Sequence, residues 1–296
     1  MLASALWGGA VSGTKFALRG FDSVTLLSIE LVAATAALWA VMLIRGYRPP
    51  PSWPAAALLG LLEPALAYLG DAVGLSRTGA VDGSIVSGLE SALVVVLAAA
   101  LLGEAITRPA ILAIALALGG VAMLADAGGQ RAAVGDLCIA GGVLSASLYS
   151  VVAKRFGDGS DTLSLTTWQF SAATLVLLSV AGLRWIAHPE HQPIAAKPQY
   201  WLAATAVGVG GFALSFLLYN RTIAVVDAGW AAVVLNLIPV FGLLSAVIFL
   251  GEDLTRAAGI GAGLIAISVI YFTISDRRGS ARTAAPSAAP SMSAPP

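Results

Sequence analysis

The hexapeptide Gly103-Glu104-Ala105-Ile106-Thr107-Arg108 returns 148 residues later as Gly251-Glu252-Asp253-Leu254-Thr255-Arg256. That interval is half of the 296-residue chain, and the same offset carries Ala80 onto Ala228 and Leu89 onto Leu237. A neighbouring offset of 139 carries Lys15 onto Lys154. Each copy of the turn follows a long apolar stretch, so the chain reads as one unit used twice.

A helix needs about 20 apolar residues to cross about 30 Å of hydrocarbon. Polar residues and Pro/Gly breaks divide the chain into about ten such stretches. They run over 2–18, 23–44, 53–75, 78–102, 107–126, 135–155, 161–186, 199–219, 227–250 and 255–275. Composition agrees: 58% of residues are hydrophobic and 11% charged, against about 25% charged in a soluble domain. Barrel strands would alternate over about ten residues, whereas Leu93–Leu102 is apolar all round. Met1 leads almost directly into an apolar stretch with no basic segment before it. Many similar stretches follow, so it reads as the first spanning helix and not as a signal peptide.

The fold expected is an all-α membrane protein with ten transmembrane helices as two inverted five-helix repeats. The first repeat covers 1–126, a linker 127–134 and the second repeat 135–275, followed by a disordered Ala/Pro/Ser tail over 276–296. Five spans per unit is an odd number, so units joined head to tail cross the membrane in opposite senses. Such repeats form a substrate site at their interface near the midplane. With the N-terminus inside, nine Lys/Arg fall on the inner side and seven on the outer. That balance favours cytoplasmic termini. Sixteen Lys/Arg against sixteen Asp/Glu give no net charge, so no nucleic acid is expected as a partner. The lipid bilayer is. The single Cys138 excludes a disulfide framework. His188 and His191 are too few for a His-based metal site, and neither metal nor cofactor is expected.

The sequence resembles the EamA-type transporters of the drug/metabolite transporter superfamily. The resemblance covers roughly residues 2–275 as two EamA-like repeats. It rests on Ala5-Leu6-Trp7-Gly8-Gly9, on Leu-Gly-Glu before the polar turns at Glu104 and Glu252, and on Leu237-Ile238-Pro239-Val240. It departs from the family pattern at Ser91, where proline is usual, and at Glu30, where a basic residue is common. The resemblance implies secondary transport of small metabolites such as amino acids, often export, from a cell membrane that would be a bacterial inner membrane.

Acids within the spans are the informative feature: Glu30, Glu63, Asp71, Asp82 and Glu90. Each costs roughly 2.5–3.5 kcal/mol at a helix centre, on the order of 10 kcal/mol together, which is comparable to the stability of a typical domain. The third and fourth helices form a hairpin turning near Ser76-Arg77. Straight helices would put Glu63 and Glu90 about 20 Å from that turn and Asp71 and Asp82 about 8 Å from it. Under the two offsets these acids fall on Gln169, Gly211, Tyr219, Trp230 and Ile238, whereas Glu104 returns as Glu252. Glu104 and Glu252 therefore read as structural, capping the adjacent turn, and the other five as parts of a transport path.

Glu63 and Glu90 are expected to form a proton- or cation-binding pair, with Asp71 and Asp82 drawing cations into the outer mouth. Two alternatives stand beside this: Arg77 neutralises Asp71 or Asp82, or Glu30 pairs with Lys15. Gln169, Asn236, Trp7, Tyr149, Trp168, Ser215 and Tyr219 are further candidates to line the cavity. Glycines at 141, 142, 208, 210 and 211 read as packing positions, and Gly8-Gly9 before Ser12-Gly13 as a hinge. An exporter with possible proton coupling is the first reading. An importer of the same solutes, or a membrane enzyme acting on a lipid-soluble substrate, are the others. The enzyme would need a convergent catalytic set, and no HExxH, GxSxG or DDxxD motif is present.

Overall fold

The apolar stretches become helices whose faces meet at small residues. The computed structural model describes residues 2–46, 52–103, 129–156, 161–193, 196–223, 237–256 and 259–264, with isolated positions between and after them. Its helices are α1 (Leu2–Ala17), α2 (Ser23–Arg45), α3 (Trp53–Leu75), α4 (Ala80–Leu102), α5 (Gly129–Phe156), α6 (Thr162–Ala187), α7 (Pro198–Ile223) and α8 (Ile238–Leu250). Among the described residues there is no strand, and six helices are long and apolar enough to cross a membrane. The spans expected at 107–126 and 255–275, and the start of 227–250, lie largely outside the described residues. α5 begins at Gly129, so most of the linker expected over 127–134 is helical.

Asp22 starts α2 by accepting from the N–H groups of Val24 at 3.1 Å and Thr25 at 3.4 Å, satisfying donors that a helix start leaves open. Its carboxylate also meets Arg184 at 3.5 Å and His191 at 3.7 Å. One side chain thus ties the α1–α2 turn to the far end of α6.

Glycine lets the backbones approach. A Cβ on Gly70 would lie 2.7 Å from Cys138 O and 2.8 Å from Gly142 Cα, and one on Gly142 would lie 2.5 Å from Ala67 O. α3 and α5 therefore touch backbone to backbone, as small residues permit in a membrane. Gly211 similarly seats on Ala10 and Gly208 on the Glu30 carbonyl, while Gly141 and Gly210 face open space. α1 is unbroken through Gly8 and Gly9. Gly8 is a contact position, where a Cβ would lie 2.6 Å from Gly242 N, whereas one on Gly9 would meet nothing within 4 Å. Beside it Ser12 Oγ and Ser245 Oγ share a 2.7 Å hydrogen bond.

Hydroxyls join α2 to α6. Thr35 and Thr174 Oγ1 share a bond of 2.7 Å, Ser28 Oγ donates to Leu177 O at 3.2 Å, and Trp39 Nε1 donates to Ser171 Oγ at 3.0 Å. Phe170 and Phe216, both fully buried, fill the centre between α6 and α7.

Candidate functional site

Two helices lose their regularity at an acid. Pro64 has no N–H and crowds the residue before it out of the helical region. Glu63 accordingly takes φ −147° and ψ 123° inside α3, between Gly60 and Ala67. In α4 the α-helical turns stop at Ser87 and resume at Glu90, across a tighter turn in which Gly88 and Leu89 donate to Ile85 and Val86. Irregular backbone at membrane depth persists only where protein or a polar cavity satisfies it. α5 contributes to both breaks: Ser145 Oγ donates to Leu62 O at 2.8 Å, and Ser147 Oγ to Glu90 O at 3.3 Å.

Between the breaks lies a cavity of about 100 Å³. A single water needs about 10–15 Å³ by that measure, so the space holds several waters or one small solute. Glu30 of α2, Glu63 and Asp71 of α3 and Glu90 of α4 all line it. Glu63 is an electrostatic neighbour of both Glu90 and Asp71. Glu30 is fully buried and accepts from Thr14 Oγ1 at 3.0 Å through Oε1, while its Oε2 has no hydrogen-bond partner among the described residues. Trp7, Tyr68 and Phe212 form an aromatic wall. Trp7 Nε1 donates to Tyr68 OH at 3.2 Å, and the Tyr68 ring stacks on Phe212 with centroids 4.0 Å apart.

Other expected residues lie elsewhere. Tyr219 is not among the lining residues; it packs edge-on against Trp7 with centroids 5.4 Å apart and is an electrostatic neighbour of Glu90 and Glu63. Tyr149 OH reaches Gln169 Oε1 at 3.4 Å, and Gln169 is fully buried behind the cavity lining. Trp168 is not a lining residue. It joins Trp39 and Trp53, with centroids 5.1 and 3.9 Å away, where α2, α3 and α6 meet. Ser215 is also outside the cavity, donating to Gly210 O at 3.0 Å along its own helix. Asn236 and Glu104 lie outside the described residues.

Asp71 and Asp82 do not form one layer. Asp71 joins the cavity, whereas Asp82 accepts from Thr78 Oγ1 at 3.4 Å and neighbours Asp136, Glu252 and Lys15 at the α3–α4 turn. Facing helices at one depth still present different sides, which residue counting cannot read. Arg77 Nη1 donates to Val73 O at 2.8 Å on the exposed surface. Lys15 Nζ donates to the carbonyls of Leu75 and Thr78, while Thr14 serves Glu30.

Glu252 caps a helix, though not at its own turn. It accepts from Ala80 N at 3.0 Å and Val81 N at 2.9 Å, across 172 and 171 residues. An anion at a helix start meets open N–H donors and the positive end of the dipole. Thr14, Tyr68, Ser145 and Asp136 were not among the expected site residues. Pro64 beside Glu63 is the sequence signal from which the α3 break could have been read.

A bundle of membrane-length apolar helices enclosing carboxyl groups at helix breaks defines a multi-pass membrane transporter. The chain belongs to the EamA-like transporter family, whose family model matches residues 1–125 and 133–274, and so to the drug/metabolite transporter superfamily. Two Bacillus subtilis proteins are similar to it. The uncharacterized transporter YyaM is 27% identical over 206 residues, covering 67% of this chain and 66% of its own length. The uncharacterized transporter YvbV is 24% identical over 275 residues, covering 89% and 87%. One solved protein structure superposes with a TM-score of 0.65 at 20% identity, over 93% of this chain and 96% of that one. That likeness concerns the fold.

Proposed function

We propose that this protein is a secondary carrier that moves a small polar solute through the carboxyl-lined cavity by alternating access. Two five-helix halves of opposite orientation rock about the cavity, both termini face the cytoplasm, and the membrane is the bacterial plasma membrane. The direction is export, driven by protons entering as solute leaves, with Glu63 and Glu90 as the exchange pair. One observation supports this above the rest: Glu30, Glu63, Asp71 and Glu90 come from three helices to one small cavity, and two of them sit at helix breaks. Intramembrane acids are costly and mark ion or substrate paths, and broken helices mark carrier sites.

Flux in proteoliposomes across a metabolite panel, with an imposed pH gradient, tests the reading. Wild-type protein is expected to move at least one solute faster with the gradient than without it, and Glu63→Gln and Glu90→Gln to abolish that difference. Undiminished gradient-driven flux in both variants would remove the exchange pair. A carrier that moves nothing from the panel, yet turns over a lipid, would replace transport with enzymology.

A further inference from the structure

The cavity lining is lopsided in its hydrogen-bonding capacity. Four carboxyl groups supply acceptors. Of the lining donors, Trp7 Nε1 is engaged on Tyr68, Thr14 Oγ1 on Glu30 and Ser87 Oγ on Gly83 O at 3.0 Å, which leaves the Tyr68 hydroxyl as the donor that faces the carboxyls among the described residues. Among the described residues, the lining includes no Lys, Arg or His. A solute carboxylate entering here would lose its hydration and meet four acids against a single hydroxyl donor, a costly exchange for any buried charge. An ammonium would meet the opposite. Glu30 lines the cavity, and its buried Oε2 has no hydrogen-bond partner among the described residues. Trp7, Tyr68 and Phe212 line the cavity as well, an apolar aromatic surface for the body of such a solute.

On the strength of the transport reading above, we infer that the solute is a small organic amine without a carboxylate, its ammonium held by Glu30 and its apolar body against Trp7, Tyr68 and Phe212. Glu30 is then a binding residue, distinct in role from the Glu63–Glu90 pair. The site discriminates between an amine and the amino acid of the same skeleton, because the two differ only in a carboxylate, for which the described lining offers one tyrosine hydroxyl against four carboxyl groups. Hydrogen bonds to charged groups that strengthen one ligand and are absent from another give at least about tenfold selection.

Tyramine and tyrosine are a matched pair of probes. In proteoliposomes, tyramine counterflow is expected to exceed tyrosine counterflow at least about tenfold, and Glu30→Gln to reduce the tyramine rate by a similar factor. Because Glu30→Gln can also disturb folding, tyramine-induced thermal shift in detergent accompanies the flux. Tyramine should raise the wild-type midpoint and leave that of a folded Glu30→Gln protein unchanged. Tyrosine moving as fast as tyramine would overturn the inference and leave the carrier reading intact. So would a panel solute that bears a carboxylate or lacks an amine moving while neither probe does. Equal tyramine shifts in wild type and Glu30→Gln would remove Glu30 from the site. A protein that carries nothing at all would overturn the carrier reading, and this inference with it.

Discussion

Removing the Glu252 carboxylate should loosen the start of α4 from a distance of 172 residues. Its two oxygens accept from Ala80 and Val81 at 3.0 and 2.9 Å, good geometry for charge-assisted bonds. Bonds to charged groups are worth about 1.5–3 kcal/mol each when buried. Glu252 is only half-buried, so screening lowers the pair to about 2 kcal/mol, in line with the loss of a helix cap. In a protein of this size that is about 3 °C in Tm. Glu252→Ala should fall by that much in a detergent thermal-unfolding assay. Glu252→Gln keeps one acceptor and loses the charge, so it should fall about half as far. Asp253→Ala, at an exposed neighbour, should not move. An unchanged Tm in Glu252→Ala, or a loss in Asp253→Ala as large, would refute the cap.

Gly142→Leu should abolish a folded, monodisperse protein in size-exclusion chromatography, since a Cβ alone would crowd Ala67 O; Gly141→Leu, facing open space, should elute normally. A Thr35→Val and Thr174→Val double-mutant cycle should give a coupling of about 0.6–2 kcal/mol in unfolding measurements, reporting their 2.7 Å bond. Ser145→Ala should lower Tm by about 1 kcal/mol's worth, because the Leu62 carbonyl at the α3 break loses a donor. Trp168→Phe should leave solute flux near wild type, whereas Trp7→Ala should reduce it several-fold, since only Trp7 lines the cavity.

The helices were legible because lipid imposes long apolar runs, and Glu63, Glu90, Asp71 and Glu30 stood out as acids inside those runs. What the sequence could not display was azimuth. Trp168 and Gln169 are adjacent, yet one joins a tryptophan cluster and the other accepts from Tyr149, whose ring packs edge-on against Phe216. Asp71 and Asp82 have similar counted depths and separate surroundings. Counting at 1.5 Å per residue also presumed a straight α3, and Pro64 breaks it at the acid of interest. Glu252 was readable as structural from its duplication, but its partners on α4 were not, since nothing local encodes a contact across 172 residues. Thr14 was overlooked beside Lys15, because charge suggested the pairing that a hydroxyl makes instead.

The cavity as a path that opens alternately to each side is best tested by labelling from within it. Ser87 lines the cavity, and the chain has one native cysteine, Cys138, which Cys138→Ser removes. In that background, Ser87→Cys should react with a membrane-impermeant maleimide both in right-side-out and in inverted vesicles. A transported solute should protect it in each. Labelling from neither side, or from one side only with no protection by solute, would contradict the account.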